Sequence, residues 1–454
     1  MTFHDPYELG EHLHRLAKLA LDSGEVSSVE KALELFSNYS IHIHAGTSVG
    51  KSPAQQAALL TAVNSARRAL LGSITISGLG DAPLLVPIAK ASSFAEAISS
   101  LGGQVTERPI QASCAVQIGN GGSCLEKGIR SAAKGWVAMC GPISDEAIID
   151  DPDAFVLAGV AAGALAVAEC FQQMRGNNPA AGRRQVGLSL WRPDMDWSSE
   201  GAYGVMPCVL PSGAWLIGLG NLGQAYLWSL GMLPYAVPKN VKLVLQDFDQ
   251  IAPSNDSTSL LTNPALVGRH KTRVLAEWAE DRGFATTLVE RRFGDNLRIT
   301  AEDPPVALSG VDNALSRAAL EEVGFARVFE AGLGNGISDF LALRLHSFPS
   351  KRRARDIWSG APAAPSNLLA KPAYQAMEAA GADKCGLTQL AGRTVGAPFV
   401  GALAGAMVIG ELVKLANGGP NMALVDLHLR SPAQIHAFPQ SADFSYNPGV
   451  TEVA

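Results

Sequence analysis

Short apolar runs alternate with longer stretches of helical spacing along this chain, and the alternation happens twice. Residues 1–40 read as helical, with apolar positions every three or four residues in LHRLAKLALDSG and VEKALELFSNY. From about 41 to 175, the β-like runs SIHIH, SITISGLG, CAVQIGNGG and GWVAMCGP alternate with helical stretches and end in the Ala-rich FVLAGVAAGALAVAECF. Residues 176–213, rich in Gly, Pro, Asn, Arg and Trp, read as a connection. A second block opens at GAWLIGLG and runs to about 415, and NMALVDLHLRSPAQIHAFPQ alternates like a terminal hairpin. The pattern predicts an α/β protein: a helical segment over 1–40, one α/β domain over 41–200, and a Rossmann-like domain with a mostly parallel sheet over 201–454.

The two long Gly- and Ala-rich segments echo each other. Gly159, Gly163 and Glu169 lie on the first, and Gly401, Gly405 and Glu411 on the second, at a constant offset of 242. Small residues at every fourth position make a flat helix face, and the shared spacing points to two related halves. Both segments approach the length of a membrane span, yet each carries a glutamate, so buried helices packed on a sheet are expected and no membrane partner. The net charge of −6 gives no basic footprint for nucleic acid. The six cysteines form no C-x-x-C pair, which argues against a structural zinc site and, without disulfide-like density, for a reducing, cytoplasmic setting. The N-terminal MTFHDPYELGEHLHRL is too polar for a signal peptide.

AGTSVGKS, residues 45–52, matches the loose form of a phosphate-binding loop. The following SPAQ reads instead as a helix start, with Ser52 at the N-cap, Pro53 at the first helical position and Gln55 closing a capping box. That places Lys51 outside the helix, where it would not sit against a phosphate.

WLIGLGNLGQ carries Gly218, Gly220 and Gly223, a G-x-G-x-x-G turn between an apolar strand and a helix. Gly218 permits the tight turn, Gly220 lets phosphate approach the backbone, and Gly223 lets the helix pack on the strand. The next strand, VKLVLQDFDQ, ends at Asp247, 24 residues past Gly223, where a carboxylate can bind ribose. The polar series Asp247, Asp249, Asn255, Gly268 and Lys271 follows, which suits a triphosphate and its metal better than a nicotinamide dinucleotide. PVALSGVDNALSR reads as a strand ending at Asp312, with Asn313 and Arg317 behind it, and Asp312 would meet the triphosphate from the other side and hold Mg²⁺.

In combination, these motifs resemble the adenylating domain of the ubiquitin-activating-enzyme superfamily, which includes the molybdopterin- and thiamin-biosynthesis adenylyltransferases. The pattern is carried by Gly218/Gly220/Gly223, Asp247/Asp249, Ser254/Asn255, Gly268/Lys271 and Asp312/Asn313/Arg317, over roughly residues 210–430. The resemblance implies ATP and Mg²⁺ as cofactors, Asp247 on ribose, Asn255 and Lys271 on the phosphates, and Asp312 on the metal. The family usually has an arginine three residues after the asparagine. Here that residue is Thr258, and Arg15, Lys51 and Arg269 are candidates to replace it.

In the modifier-activating branch, a cysteine on the crossover loop takes the acyl group as a thioester. Cys385 is the one cysteine between Asp312 and the second glycine-rich helix, within a crossover loop expected at about 350–394, with Lys384 and Arg393 nearby. The first half lacks the motif series, and by resemblance is an inactive partner of the active half: a pseudo-dimer within one chain, to which a homodimer would be a further level. The resemblance implies an activator of a ubiquitin-like protein's C-terminal glycine, with a downstream conjugating enzyme, similar to compact bacterial versions found in conjugation and antiphage systems. The alternatives are an adenylyltransferase for a sulfur carrier or peptide without a self-thioester, a nicotinamide-dependent oxidoreductase, and a non-catalytic scaffold.

Overall fold

The two apolar blocks fold into two sheets with one strand order. The structure is a computed structural model that describes residues 10, 12–88, 90–122, 125–294, 296–334, 336–359, 368–440, 446 and 448–454, and the backbone alone of Cys385 and Gln389. The first sheet comprises β1 (Ile41–Ala45), β2 (Ile74–Ser77), β3 (Gln104–Val105), β4 (Cys114–Ile118), β5 (Ile129–Lys134), β6 (Val137–Pro142) and β7 (Val186–Ser189). Its order is β3-β2-β1-β4-β5-β6-β7, parallel as far as β5 and antiparallel beyond.

After β8 (Val209–Pro211), the second sheet comprises β9 (Gly213–Ile217), β10 (Lys242–Gln246), β11 (Ala285–Val289), β12 (Val306–Ser309), β13 (Arg327–Leu333), β14 (Ala342–Phe348), β15 (Met422–His428) and β16 (His436–Pro439). Its order is β11-β10-β9-β12-β13-β14-β15-β16, the same succession with one hairpin strand added. It too is parallel from its first edge and turns antiparallel after β13. A short β17 (Val450–Glu452) pairs with β8. The inner strands are buried on both faces, which is why they read as continuous apolar runs.

The helices run in chain order from α1 (Ala17–Ser23) and α2 (Val29–Ser37) through α3 (Pro53–Ala69), α4 (Phe94–Ser100) and α5 (Val156–Arg175). The second half has α6 (Asn221–Met232), α7 (Lys271–Glu280), α8 (Ala314–Ala318), α9 (Ala354–Ile357), α10 (Pro372–Ala379), α11 (Lys384–Gly392) and α12 (Pro398–Ala416). The echoing segments are α5 and α12, and each lies backbone to backbone on the helix that follows the first core strand of its own half. A Cβ at Gly159 or Gly163 would sit 2.0 or 2.1 Å from the carbonyl oxygens of Ala54 and Ala58 on α3. One at Gly401 or Gly405 would sit 2.3 Å from Asn221 Oδ1 or 2.5 Å from the Ala225 carbonyl oxygen on α6. The glutamates repeat as well: Glu169 accepts from the Gly182 N–H, and Glu411 from the Met422 N–H, both at 2.9 Å. Helices α5 and α12 also pack on each other, so the halves share one core. Both are long and apolar enough to cross a membrane, but 94% and 89% of their apolar windows are buried within the protein.

Three local readings are corrected. The connection 176–213 contains β7, an edge strand whose short run the surrounding Gly and Pro obscured. The strand expected to end at Asp312 ends at Ser309. Ser52 does cap α3, accepting from the Gln55 N–H at 3.2 Å, with Pro53 at the first position and Thr47–Lys51 in a 3₁₀ turn before it. Gln55 does not complete a capping box: its amide donates to Asp150 Oδ2 at 2.9 Å and its oxygen accepts from Ser48 Oγ at 2.7 Å.

Candidate nucleotide-binding site

Strands β10, β9 and β12 end side by side, so the loops after them form one edge of a crevice. Gly218 has φ +82, and a Cβ there would press within 3.0 Å of Val311 Cγ1. Gly223 brings α6 against the turn so closely that a Cβ would lie 2.1 Å from the Gly218 carbonyl oxygen. Gly220, the N-cap of α6, differs: no atom lies within 4 Å of where its Cβ would be. The three glycines thus do three jobs, and the one at the helix N-terminus leaves open space in front of a site suited to an anion.

Asp247 is buried, and its carboxylate holds the turn in shape. Oδ2 accepts from the Leu219 N–H at 2.6 Å and Oδ1 from the Asp249 N–H at 2.8 Å. Lys271 begins α7 after the positive-φ turn at Gly268, and its Nζ lies 3.0 Å from Asp249 Oδ2. Asn255 lies in the 3₁₀ turn Pro253–Ser257, where its Oδ1 accepts from the Ala252 N–H at 2.9 Å. Gln224 of α6 ties the far end of that loop, its Oε1 accepting from the Leu261 N–H at 2.9 Å and from Thr262 Oγ1 at 3.1 Å.

Asp312 is exposed in the loop after β12, and Asn313 caps α8 by accepting from the Ser316 N–H at 2.8 Å. Arg317 donates to the Val311 carbonyl at 2.9 Å and pairs with buried Glu330 at 3.1 Å, which His346 contacts at 2.9 Å on its other oxygen. Behind these residues a cavity of about 350 Å³ is lined by Arg317, Glu330, Gly332, His346, Ile357 and Trp358, with further residues of β13–β15. The Gly310–Asp312 loop stands between this cavity and the glycine turn, touching Gly218 on one side and Arg317 on the other. Among the described residues, no group of three or more His, Cys, Asp or Glu side chains is placed to hold a metal.

Of the three basic residues considered for the role vacated at Thr258, Arg15 bonds to that loop by its side chain, whereas Arg269 meets Ile251 just ahead of it through its carbonyl. Arg15 Nη2 donates to Ser254 Oγ and its backbone N–H to Ser257 Oγ, both at 3.1 Å. Gly396 is next to both: a Cβ there would lie 2.8 Å from Thr258 Cγ2 and 3.8 Å from Arg15 Cβ. Arg269 pairs with Glu277, and Lys51 belongs to the exposed turn of the first half. Sequence reasoning missed Arg67, Arg68 and their partner Asp256, because nothing local links residues 189 positions apart. Cys385 falls on the backbone of α11, and its side chain lies outside the described residues, as do residues 360–367 of the expected crossover loop.

The matching edge of the first half is closed. The N–H groups of Gly46, Thr47 and Ser48 bond to the carbonyls of Ile118, Gly121 and Asn120 at 2.8–3.3 Å. His44 fills the strand ends, its ring nitrogens 3.0 Å from Ser77 Oγ and 2.8 Å from the Gly122 carbonyl. The turn that resembled a phosphate loop therefore spends its donors on its own protein.

Two like sheets, one closed crevice and one open crevice with Asp247, Lys271 and Asp312 around it define an E1-like α/β protein. The chain belongs to the BilD family. Its residues 40–190 match the BilD N-terminal domain model and residues 210–419 the BilD C-terminal domain model. It is 43% identical over 410 residues to the bacterial E1-like protein BilD of Collimonas sp. (strain OK412), covering 90% of this chain and 89% of that one. Similarity to solved structures is distant. E. coli MccB aligns with a TM-score of 0.33 and 10% identity over 69% of this chain and 93% of that one. The E. coli tRNA N6-threonylcarbamoyladenosine dehydratase TcdA aligns with 0.29 and 15% over 45% and 85%.

Proposed function

We propose that this protein activates the C-terminal carboxylate of a ubiquitin-like protein by adenylation in its second half. The observation that carries the reading is the open space at Gly220, on the N-terminus of α6, with Lys271 at the start of α7 and Asp312 in the loop after β12. In that reading ATP is the substrate, its ribose at Asp247 and its phosphates between the α6 N-terminus, Asn255 and Lys271. Mg²⁺ would offset triphosphate charge, and Asp312, exposed in the loop after β12, would be the residue to hold it. Arg15 supplies the guanidinium that Thr258 cannot, a role supported by its contacts to Ser254 and Ser257.

The acceptor's C-terminus enters through the cavity at Arg317, from the opposite side of the Gly310–Asp312 loop. Its carboxylate oxygen attacks the α-phosphorus, the bond to the bridging oxygen breaks, and pyrophosphate leaves. Such a step needs positioning and charge neutralisation more than acid–base chemistry. Cys385 then attacks the acyl-adenylate carbonyl, releasing AMP and leaving a thioester. The reducing cytoplasm suits this thiol chemistry.

A ubiquitin-like acceptor ending in glycine, incubated with ATP and Mg²⁺, should support pyrophosphate exchange and form an adduct cleaved by excess thiol, which takes up the acyl group. Cys385→Ala should keep the exchange and lose the adduct. Exchange without any adduct in the unmutated chain would replace the thioester with activation of a carrier or peptide. No exchange and no ATP binding would sink the adenylation reading.

A further inference from the structure

The loop that carries Ser254, Asn255 and Thr258 is fastened from outside its own half. At the last turn of α3, Arg67 grips Asp256 with both amino groups, Nη2 to Oδ1 at 2.8 Å and Nη1 to Oδ2 at 3.1 Å. Arg68 is buried, its side chain 5% exposed. Its Nη1 donates to the Asp256 carbonyl at 2.7 Å and to Asp256 Oδ1 at 3.1 Å. Its Nη2 donates to the carbonyls of Leu260 at 3.0 Å and Thr262 at 2.8 Å. Nε goes to Asn64 Oδ1 at 3.0 Å, and Asn64 Nδ2 reaches the Leu260 carbonyl at 3.1 Å. A guanidinium whose donors are consumed this fully fixes its acceptors in direction as well as distance.

Arg15 adds two bonds, to Ser254 and Ser257, and within the second half Ile251 pairs with Gly268 and Arg269 just ahead of the loop. The Asn255–Ala252 bond is internal to it and travels with it. From its own half, Gln224 holds only the Leu261–Thr262 end. Asp256, one residue from Asn255, is held by the half whose own crevice is closed.

We infer that Arg67 and Arg68 are positioning residues for the nucleotide site, acting through Asp256 on the Ser254–Thr258 loop. The inference rests on the reading that Asn255 faces the phosphates. It assigns the first half a task in the reaction besides sharing a core: it sets ATP affinity in the second half. A second ion pair joins the halves without touching the site, Lys90 to Asp281 at 2.5 Å, and so provides a control.

The experiment uses the full-length chain with Mg²⁺–ATP, following ATP affinity by calorimetry and KM and kcat by pyrophosphate exchange. Asp256→Asn and Arg67→Gln should each raise the ATP Kd and KM by about tenfold, on the scale of coupling between contacting polar groups. The change in kcat at saturating ATP should be smaller. The double variant should be little worse than Asp256→Asn alone, and Arg67→Lys should recover part of the loss. Lys90→Gln should leave KM unchanged. The inference is overturned if the single variants keep wild-type KM, or if Lys90→Gln raises KM equally, since the effect would then be general to the interface. If the unmutated protein binds no ATP, the functional reading fails together with this one. If it binds ATP and the variants match it, only this inference fails.

Discussion

The two halves of this chain share a strand order, a paired-glycine helix and a buried glutamate on that helix, and differ at the ends of three strands. In the first half, turn N–H groups bond to the neighbouring loop, and His44 and the Gln55–Asp150 pair occupy the space behind them. In the second, Gly220 faces open space and Lys271, Asp249 and Asp312 stand around it. The difference teaches that the scaffold and the chemistry are separable. The scaffold rests on apolar burial and close helix contact, which both halves keep, whereas the crevice depends on open space at the turn, which Gly220 has and the filled turn of the first half lacks.

The comparison breaks most visibly at its lysines. Lys271→Ala should lower pyrophosphate exchange on the order of 10²-fold or more, as does loss of one contact to developing charge. Asp312→Ala should do as much by removing the metal's carboxylate. Lys51→Ala, in the look-alike turn of the first half, should change exchange by less than about twofold, as surface substitutions do. Equal losses at Lys51 and Lys271 would mean that both crevices work.

At the helix contact the halves should behave alike. Gly163→Ala and Gly405→Ala each place a Cβ within 2.1 and 2.5 Å of a carbonyl oxygen on the neighbouring helix. Each should cost about 1–3 kcal/mol in urea unfolding by overpacking. A gain from helix propensity, about 1 kcal/mol at an uncrowded site, would show that the helices do not approach this closely.

The smallest expected effect is in pH dependence, where two buried groups oppose each other. Burial lowers His14 to about 4, against the pull of Asp256 and with Arg67 reinforcing it. The unfolded chain therefore binds this proton more readily between about pH 4 and 6.5, and the stability it contributes is lost as pH falls through that window. Burial raises Asp150 to about 6, against hydrogen bonds from the Ala133 N–H and Gln55. Its contribution is present at low pH and lost as pH rises through about 6. His14→Phe should tilt the urea midpoint downward with rising pH across the shared window, and Asp150→Asn should tilt it upward. The same slope in both variants would contradict these burials.

Much of this fold was legible because its signals are local. The strand runs, the glycine turn and the Gly159/Gly163 and Gly401/Gly405 spacing each state a steric requirement within a few residues. Strand β5, IRSAAK, lacks an apolar alternation and forms through its neighbours β4 and β6. The glycine turn was legible where motif and sterics coincide, at Gly218 and Gly223. The site was not legible where a side chain's job depends on the partner half. Nothing around Gln55 foretells Asp150, and nothing around Asp256 foretells Arg67 and Arg68. Arg15 could be named as a candidate from its charge, but only the fold sets it beside Ser254 rather than at the surface with Arg269.

The central claim, that one of two like halves keeps a working nucleotide site, is tested most directly by the stoichiometry of Mg²⁺–ATP binding. Calorimetry on the full chain should find one ATP per polypeptide, lost in Lys271→Ala and retained in Lys51→Ala. Two equivalents, or one that survives Lys271→Ala and disappears with Lys51→Ala, would contradict it.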